Sequence, residues 1–367
     1  MNNNAFDIVV VGAGFAGMYL LHRLRGQGLK VRVLEAGSDV GGTWYWNRYP
    51  GARCDIESMQ YSYQFDSELQ DEWHWNERYS PQPQILEYAQ HVAERYDLKR
   101  DIQFNARVSS QEFDEAAGMW HVYLEDGAVV SGCLCVMATG CLSKPNWPDI
   151  KGLDTFAGPT YHTALWPQDE VRFDGQRVAV IGTGSSAIQS IPHIAEQARQ
   201  LYVFQRTPNF SIPAHNQLMD AAYEADFKTN YQQRRALAKA TPPGIYGEFR
   251  ADAMAAEATP EERDAEYRKR WEMGGLLFMG AFGDLMLDAE ANRSAADFVR
   301  ARIKETVKDA HVAELLCPDN IIGGKRLCID SSYYETFNRD NVSLVSVREQ
   351  PIERITRSAV LAHGQTY

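Results

Sequence analysis

Two glycine-rich turns carry the residues of this sequence that are most directly tied to chemistry. Gly12, Gly14 and Gly17 follow a short β-branched run, and residues 182–187, GTGSSA, repeat the pattern further along. In such a turn the glycines permit a tight bend, let a pyrophosphate approach the backbone, and let the helix pack on the strand. The first N–H groups of the helix then face the phosphates. Both turns predict dinucleotide sites; the alternative is a purely structural turn.

Glu35 and Arg206 end the second strand of each βαβ pattern, about 20 residues after the middle glycine. A carboxylate there binds free ribose hydroxyls and repels a 2′-phosphate, whereas a guanidinium binds that phosphate. The two residues therefore predict different dinucleotides, FAD at the first turn and NADP(H) at the second. The alternative for Arg206 is a solvated charge at a strand end.

An aromatic stretch, GGTWYWNRYPGARCDIES, follows the first pattern at residues 41–58. Glycines beside closely spaced aromatic side chains suggest backbone that lies against a flat ring; the alternative is an aromatic loop in the core. Arg53 and Asp55 within it are residue types that most often lie at the surface of such a loop.

The remaining elements must position these residues. β-branched and alternating runs predict strands at 7–11, 30–34, 102–108, 120–124, 133–138, 176–181, 201–205, 327–329, 342–347 and 352–355. Helical spacing follows both glycine turns and recurs at 83–96, and Asp126-Gly127 predicts a hairpin turn. Residues 220–310 are rich in Ala, Glu, Arg and Lys with helical periodicity, which predicts a helical insertion.

These patterns predict an α/β protein with two Rossmann-like dinucleotide-binding domains and a helical insertion in the second. We expect an FAD-binding domain over residues 1–144 and an NADP-binding domain over residues 145–367, with the insertion at about 215–320.

Composition narrows the function classes. The chain has 367 residues, a net charge of −12, 44% hydrophobic and 23% charged residues, as expected of a globular protein that binds neither nucleic acid nor an anionic membrane. Its six cysteines show neither C-x-x-C nor zinc spacing, so we expect reduced thiols and no metal. The N-terminal stretch has no basic region followed by a long apolar run, which favours a cytoplasmic protein. No obligatory protein partner is indicated.

The segment between the two patterns, FAGPTYHTALWP at residues 156–167, would by itself be an aromatic linker. It is similar to the F-x-G-x-x-x-H-T-x-x-W-P motif of the type I Baeyer–Villiger monooxygenases, which also lies between two dinucleotide motifs. GAGFAG, GGTWYWNRYPGARCDIES, GTGSSAIQ, FQRTP and the GGKR…YYETFNRDN block resemble this family in the same order. The resemblance extends from residue 8 to residue 355.

The resemblance implies a set of cofactor contacts in addition to the glycines. For FAD they are Phe15, Glu35, Thr43, Trp44, Tyr45, Trp46, Asp55, Tyr61 and Val108. For NADP they are Arg53, Cys54, Asp55, Gly182, Thr183, Gly184, Ser185, Ser186, Ala187, Ile188, Gln189, Arg206, Thr207, Lys325 and Arg326.

The resemblance also implies a reaction: one oxygen of O2 is inserted beside the carbonyl of a small ketone, giving an ester or lactone at the expense of NADPH. In it Arg326 supplies a fixed positive charge at the reacting oxygen, Asp55 orients Arg326, and Lys325 with Arg206 grips the 2′-phosphate. His162 and Trp166 would couple domain movements. Read alone, Lys325 and Arg326 after two glycines would be a surface turn.

Members of this family continue beyond the position that matches Tyr367, so the resemblance implies a C-terminal segment that this sequence does not include. Two other functions remain open. One is an N- or S-oxygenating flavin monooxygenase, whose members lack the Thr and Trp-Pro positions of the linking motif. The other is a nucleotide-binding module without turnover. A disulfide reductase is disfavoured, because no redox cysteine pair follows the first glycine turn.

Overall fold

The computed structural model describes residues 5–367; residues 1–4, the start of the N-terminal stretch discussed above, lie outside the described residues. The strands are β1 Ala5–Val11, β2 Val31–Leu34, β3 Ile102–Gln103, β4 Val108–Asp114, β5 Met119–Leu124, β6 Val129–Met137, β7 Arg177–Ile181, β8 Gln200–Gln205, β9 Ser211–Pro213, β10 Cys328–Asp330, β11 Val342–Ser346, β12 Arg354–Ile355, β13 Val360–Ala362 and β14 Gln365–Thr366. The helices are α1 Phe15–Arg25, α2 Thr43–Trp46, α3 Ser67–Glu72, α4 Gln82–Arg95, α5 Ser185–Gln197, α6 Ala221–Thr229, α7 Tyr231–Lys239, α8 Pro260–Met273, α9 Ala289–Thr306, α10 Ala310–Leu316 and α11 Tyr333–Thr336.

Contacts divide the chain into two compact units. The first unit comprises Met1–Arg48, Gln82–Trp147 and Tyr161–Gln168, and the second comprises Tyr49–Pro81, Pro148–Thr160 and Asp169–Tyr367. Residues 49–81, which we placed by sequence order in the FAD-binding domain, thus pack within the second unit. Their distance in sequence from the rest of that unit hides this arrangement.

The first unit is built on one sheet with the order β3-β2-β1-β6-β5-β4. β1, β2, β3 and β6 run parallel, and β4 and β5 pair antiparallel at the other side. Ile8 and Val10 of β1 pack with Met18 and Leu21 of α1 and with Ala89 of α4. The buried apolar face explains why β1 is a continuous β-branched run, as expected of a parallel strand.

One predicted strand of this unit is wrong. Residues 102–108 alternate as a strand would, but β3 ends at Gln103 and β4 begins at Val108. Asn105 between them has a φ of 53°, in the left-handed region that ends an extended run. Its own N–H donates to Gly37 O, so the chain turns there. The predicted hairpin turn is confirmed, since Asp126 and Gly127 join β5 to β6.

The second unit contains a parallel sheet with the order β11-β8-β7, a parallel pair β9-β10 and an antiparallel sheet β12-β13-β14. Phe204 of β8 packs with Val345 of β11 and with Val360 of β13 in a buried cluster. The helices α6 to α10 lie between residues 221 and 316, where the sequence predicts an insertion. In residues 5–367 no helix has the length and apolar character needed to cross a membrane.

Candidate functional site

The first glycine turn joins β1 to α1 as the spacing predicts. Gly12 has a φ of 104°, and a Cβ placed on Gly17 would lie 1.9 Å from Gly12 O, so helix and turn touch backbone to backbone. Gly14 is the N-cap of α1, and as a glycine it has no side chain to occupy the space at the helix N-terminus. A phosphate can bind at such a helix N-terminus.

Glu35 lies at the end of β2 and is buried. Its Oε2 accepts from Ala13 N at 2.7 Å, and its Oε1 accepts from Gly37 N at 2.7 Å. The carboxylate thus fixes the glycine turn to the strand end. Each carboxylate oxygen has a second lone pair, so these bonds leave acceptor capacity for ribose hydroxyls.

The aromatic stretch begins as a short helix over the same turn. A Cβ on Gly42 would lie 2.8 Å from Gly14 Cα, so only glycine allows this approach. Trp44 and Tyr45 of α2 are buried. The Tyr45 hydroxyl lies 3.0 Å from Ser38 N, which donates to it. Aromatic rings are therefore held beside the glycine turn within the first unit.

The second glycine turn joins β7 to α5. Gly182 has a φ of 106°, and a Cβ on Gly182 or Gly184 would meet no atom within 4 Å. Gly184 is the N-cap of α5, and as a glycine it has no side chain to occupy the space at the helix N-terminus. A phosphate bound there would accept hydrogen bonds from the first N–H groups of the helix.

Hydrogen bonds link the second turn to the end of β8. Thr183 Oγ1 donates to Thr207 O at 3.0 Å, and Asn209 Nδ2 donates to Thr183 O at 2.8 Å. Arg206, between β8 and Thr207, is exposed. These bonds hold the glycine turn against the backbone that follows Arg206. Asn209 had no signal in the sequence pattern.

Asp55 and Arg326, remote in sequence, form an ion pair in the second unit: Arg326 Nη2 lies 2.6 Å from Asp55 Oδ2. The Asp55 side chain is 3% exposed, whereas that of Arg326 is 69% exposed. Burial raises the pKa of Asp55 above its ordinary value, and the charge of Arg326 opposes this. A buried carboxylate thus holds an exposed guanidinium at one nitrogen.

The position of Arg326 is set by the strand that follows it. Cys328–Asp330, β10, pairs in parallel with β9, and the buried Asp330 Oδ2 accepts from Ser211 Oγ at 2.5 Å. The preceding turn needs glycine, because Gly323 has a φ of 80° and its Cβ would lie 2.8 Å from Met286 Sδ. Lys325 and Arg326 therefore lie in an exposed stretch between the turn at Gly323 and strand β10.

Hydrogen bonds within residues 49–81 fix the loop that carries Asp55. Cys54 N donates to Ser80 O at 3.2 Å, and Arg53 Nη1 donates to Glu77 Oε2 at 3.0 Å and to Tyr79 O at 2.9 Å. Arg53 was expected to contact NADP, and it already has these protein partners. Burial raises the pKa of Cys54 to about 12, so this thiol is not a nucleophile near neutral pH.

The linking motif at residues 156–167 is divided between the two units. Ala157 N donates to Arg357 O at 2.8 Å in the second unit. In the first unit His162 Nδ1 accepts from Ala164 N at 3.1 Å, and the His162 ring lies 4.9 Å from that of Trp147. These contacts give His162 a structural role at the start of a short helical turn.

The predicted site residues fall into both units. The first unit carries Gly12, Gly14, Phe15, Gly17, Glu35, Thr43, Trp44, Tyr45, Trp46 and Val108. The second carries Arg53, Cys54, Asp55, Tyr61, the stretch 182–189, Arg206, Thr207, Lys325 and Arg326. Sequence reasoning missed Tyr49 and the side-chain contacts of Gln189, because neither has a signal in the local spacing.

Comparison with known proteins places this arrangement in a class. A family model described as pyridine nucleotide-disulphide oxidoreductase matches residues 9–239. Three curated relatives cover 97% of the chain: a phenazine N-monooxygenase of Lysobacter antibioticus at 43% identity, a Baeyer-Villiger monooxygenase of Pseudooceanicola batsensis at 42%, and a cyclohexanone 1,2-monooxygenase of an Acinetobacter species at 42%. The chain spans 66%, 65% and 65% of their respective lengths.

Two solved structures match with a TM-score of 0.95 over 99% of the chain. One is an oxidized steroid monooxygenase bound to NADP, at 52% identity, and the chain covers 69% of it. The other is the OTEMO complex with FAD and NADP, at 40% identity, and the chain covers 68% of it. The chain belongs to the type I Baeyer–Villiger monooxygenases, within the pyridine nucleotide-disulphide oxidoreductase class.

Proposed function

We propose that this protein is an FAD- and NADPH-dependent monooxygenase that inserts one oxygen of O2 beside a ketone carbonyl, giving an ester or lactone. The observation that carries the proposal is the exposed Arg326 guanidinium held by the buried Asp55 carboxylate. Family membership supports it, as do the relatives named for cyclic ketone oxidation.

The two glycine turns fit the two cofactors. FAD is assigned to the first unit, with its pyrophosphate at Gly12, Gly14 and Gly17, its ribose at Glu35 and its rings beside residues 43–46. Phe15 and Val108 are further contacts in this unit. The contacts at Asp55 and Tyr61 rest on the family resemblance alone. Two observations support this assignment: glycine is required where Gly17 meets Gly12 O, and glycine is required where Gly42 meets Gly14.

NADP(H) is assigned to the second turn, at residues 182–189, with Arg206, Thr207 and Lys325 at the 2′-phosphate and Arg53, Cys54, Asp55 and Arg326 as further contacts. The open space at Gly182 and Gly184 and the exposed Arg206 support this assignment. We retain the proposal of an FAD-binding domain over residues 1–144 and an NADP-binding domain over residues 145–367, although residues 49–81 pack with the second unit and residues 161–168 with the first. The free thiols favour a cytoplasmic setting.

When bound, FAD would supply the activation of O2, with NADPH as the source of electrons. A guanidinium carries a fixed positive charge, so Arg326 would stabilise negative charge on the attacking oxygen and on the ketone carbonyl oxygen. Asp55 fixes the direction of that charge through the ion pair. We propose these two residues as the catalytic pair, with a small ketone and O2 as substrates.

The test is to purify the protein, reconstitute it with FAD, and measure NADPH oxidation with and without a panel of cyclic and linear ketones. Mass analysis under isotopically labelled O2 should show one labelled oxygen in the ester product. Flavin binding with no ketone-stimulated oxidation and no ester would reject the proposed activity and favour a module without turnover.

N-oxygenation is the second candidate, because one curated relative at 43% identity is a phenazine N-monooxygenase. The same assay separates the two when a phenazine replaces the ketone: an N-oxide product without ester from any ketone would favour this alternative. Disulfide reduction is not proposed, since all six cysteines are free and none lies in a C-x-x-C pair.

A further inference from the structure

The side-chain amide of Gln189, in α5, is hydrogen-bonded through both its nitrogen and its oxygen to the loop that carries Asp55. Its Nε2 donates to Arg53 O at 3.1 Å and to Asp55 Oδ1 at 3.2 Å. Its Oε1 accepts from Tyr49 OH at 2.9 Å and from Arg53 N at 3.5 Å. Because Arg53 presents both its N–H and its carbonyl to the amide, the orientation of the amide is determined.

The loop is also close to the helix backbone at this point. Gly51 has a φ of 76°, and a Cβ there would lie 2.4 Å from Gln189 O. Gln189 itself is buried. The amide therefore has no alternative partner in solvent, and both donors and both acceptor sites are used within the loop.

Asp55 is held from two sides as a result. Arg326 Nη2 occupies one carboxylate oxygen and Gln189 Nε2 the other. Since Arg326 is largely exposed, its direction depends on the carboxylate, and the direction of the carboxylate depends on the amide that fixes its second oxygen. Gln189 thus lies between the helix that begins at the second glycine turn and the Asp55–Arg326 pair.

We propose that Gln189 is a positioning residue that keeps Asp55 ionised and oriented, and through Asp55 aims Arg326. The proposal rests on the proposed function where it concerns oxygenation, and on the contacts alone where it concerns Asp55. It assigns the amide a role beyond the NADP contact implied by family resemblance. It also makes α5 the element that links the nucleotide turn to the site cation.

Several ionisable groups besides Arg326 face Asp55. Tyr49, Cys54, Tyr79 and Cys328 each interact electrostatically with it. Burial raises the pKa of Cys54 to about 12 and that of Cys328 to about 11, and burial raises the pKa of Tyr49 and Tyr79. All four are neutral near neutral pH, so among these groups the charge of Arg326 favours the ionised carboxylate. The Gln189 amide adds a hydrogen bond to the second carboxylate oxygen.

The first experiment follows the carboxyl resonance of Asp55 in protein labelled at aspartate, with Asp55→Asn identifying the signal. Gln189→Met removes the donor at similar volume, and Gln189→Glu replaces it with a carboxylate, so one can serve if the other fails to fold. Each should raise the pKa of Asp55 by about one to two pH units, because a hydrogen bond to a charged group is lost.

Ser190→Ala is the matched control. Ser190 is the next residue of α5, is buried, and donates to Ser186 O at 2.8 Å. It should leave the pKa of Asp55 unchanged. If a folded Gln189 variant also leaves that pKa unchanged and only weakens NADPH binding, Gln189 is a cofactor contact and the positioning role is rejected.

The second experiment measures ester formed per NADPH consumed across pH. Coupling should fall as pH drops through the pKa of Asp55, and the midpoint should move to higher pH in the Gln189 variants. A midpoint that stays in place while the pKa moves would overturn the link to Arg326. If the parent protein forms no ester, the proposed function fails, and the titration still decides whether Gln189 controls Asp55.

Discussion

At the scale of single residues, the site depends on an asymmetric ion pair. A pair that is exposed at both ends contributes little, because water screens it and the side chains lose freedom. Asp55 is buried and Arg326 is not, so the carboxylate restricts the guanidinium while leaving its other nitrogens accessible. The pair is therefore suited to aim a positive charge outward.

Arg326→Ala should separate reduction from oxygenation. NADPH should bind somewhat more weakly and still be consumed, but ester formation should fall by about 10²–10³ because one fixed electrostatic group is lost. Hydrogen peroxide should be released in its place. The measurement is ester, peroxide and NADPH quantified in parallel.

Two variants test this interpretation of Arg326. Arg326→Lys should restore little, because an ammonium lacks the planar fork that can contact Asp55 and a reacting oxygen together. Arg348→Ala, which breaks an exposed pair with Asp319 in the same unit, should leave the ester yield unchanged. Ester formation by Arg326→Ala near the parent rate would leave Arg326 as a cofactor contact only.

Arg206→Ala should raise the KM for NADPH by about tenfold or more, since a charged hydrogen bond is lost, with little change for NADH. Arg199→Ala, an exposed arginine just before the other end of β8, should change neither constant. Steady-state kinetics with both nucleotides decides the point. An equal loss for NADPH and NADH would show that Arg206 does not read the 2′-phosphate.

At the scale of elements, the glycines of the turns allow backbone segments to approach each other closely. Gly17 brings α1 against the turn that follows β1 so closely that a Cβ there would lie 1.9 Å from Gly12 O. Gly26, at the end of the same helix, has helical geometry, and its Cβ would be 3.4 Å from His22 O. There is thus no room for a side chain at Gly17, whereas a methyl group at Gly26 would make an ordinary van der Waals contact.

Gly17→Ala should lower the stability of the first unit by about 1–3 kcal/mol or more, as overpacking does, and reduce flavin occupancy. Gly26→Ala should retain both. Flavin absorbance per chain and thermal melting are the measurements. Full occupancy with an unchanged melting temperature in Gly17→Ala would mean that the turn is not the pyrophosphate site.

At the scale of the whole molecule, the cysteines differ in their exposure to solvent. Cys133 and Cys141 are exposed, while Cys54 and Cys328 are buried. Burial raises the pKa of Cys54 to about 12 and of Cys328 to about 11, so little thiolate forms near neutral pH.

We therefore expect an alkylating reagent to modify Cys133 and Cys141 quickly in the native protein, and Cys54 and Cys328 only after denaturant is added. Peptide mass mapping over time gives the rate at each site. Equal native rates at Cys54 and Cys141 would show that residues 49–81 open readily, against the dense hydrogen bonding seen around Asp55.

Sequence by itself determined the elements whose causes are local. Glycine spacing, β-branched runs and strand-end charges predict βαβ units at 5–35 and 177–206, because turn geometry and burial act over a few residues. The local pattern does not fix where every strand ends: Asn105 interrupts a run at 102–108 that alternates like a strand. Residues 12–17, Glu35, 182–187 and Arg206 are predicted as cofactor contacts for the same local reason.

Only the tertiary structure decided the contacts between distant segments. It joined residues 49–81 to the second unit, brought Asp55 to Arg326, and enclosed the Gln189 amide in the loop at 49–55. Family resemblance had implied the Asp55–Arg326 pair, but no spacing in the sequence contains it. These contacts depend on how the strands and helices pack against one another. The free energy of that packing comes from many segments that are distant in sequence, so no local sequence pattern predicts it.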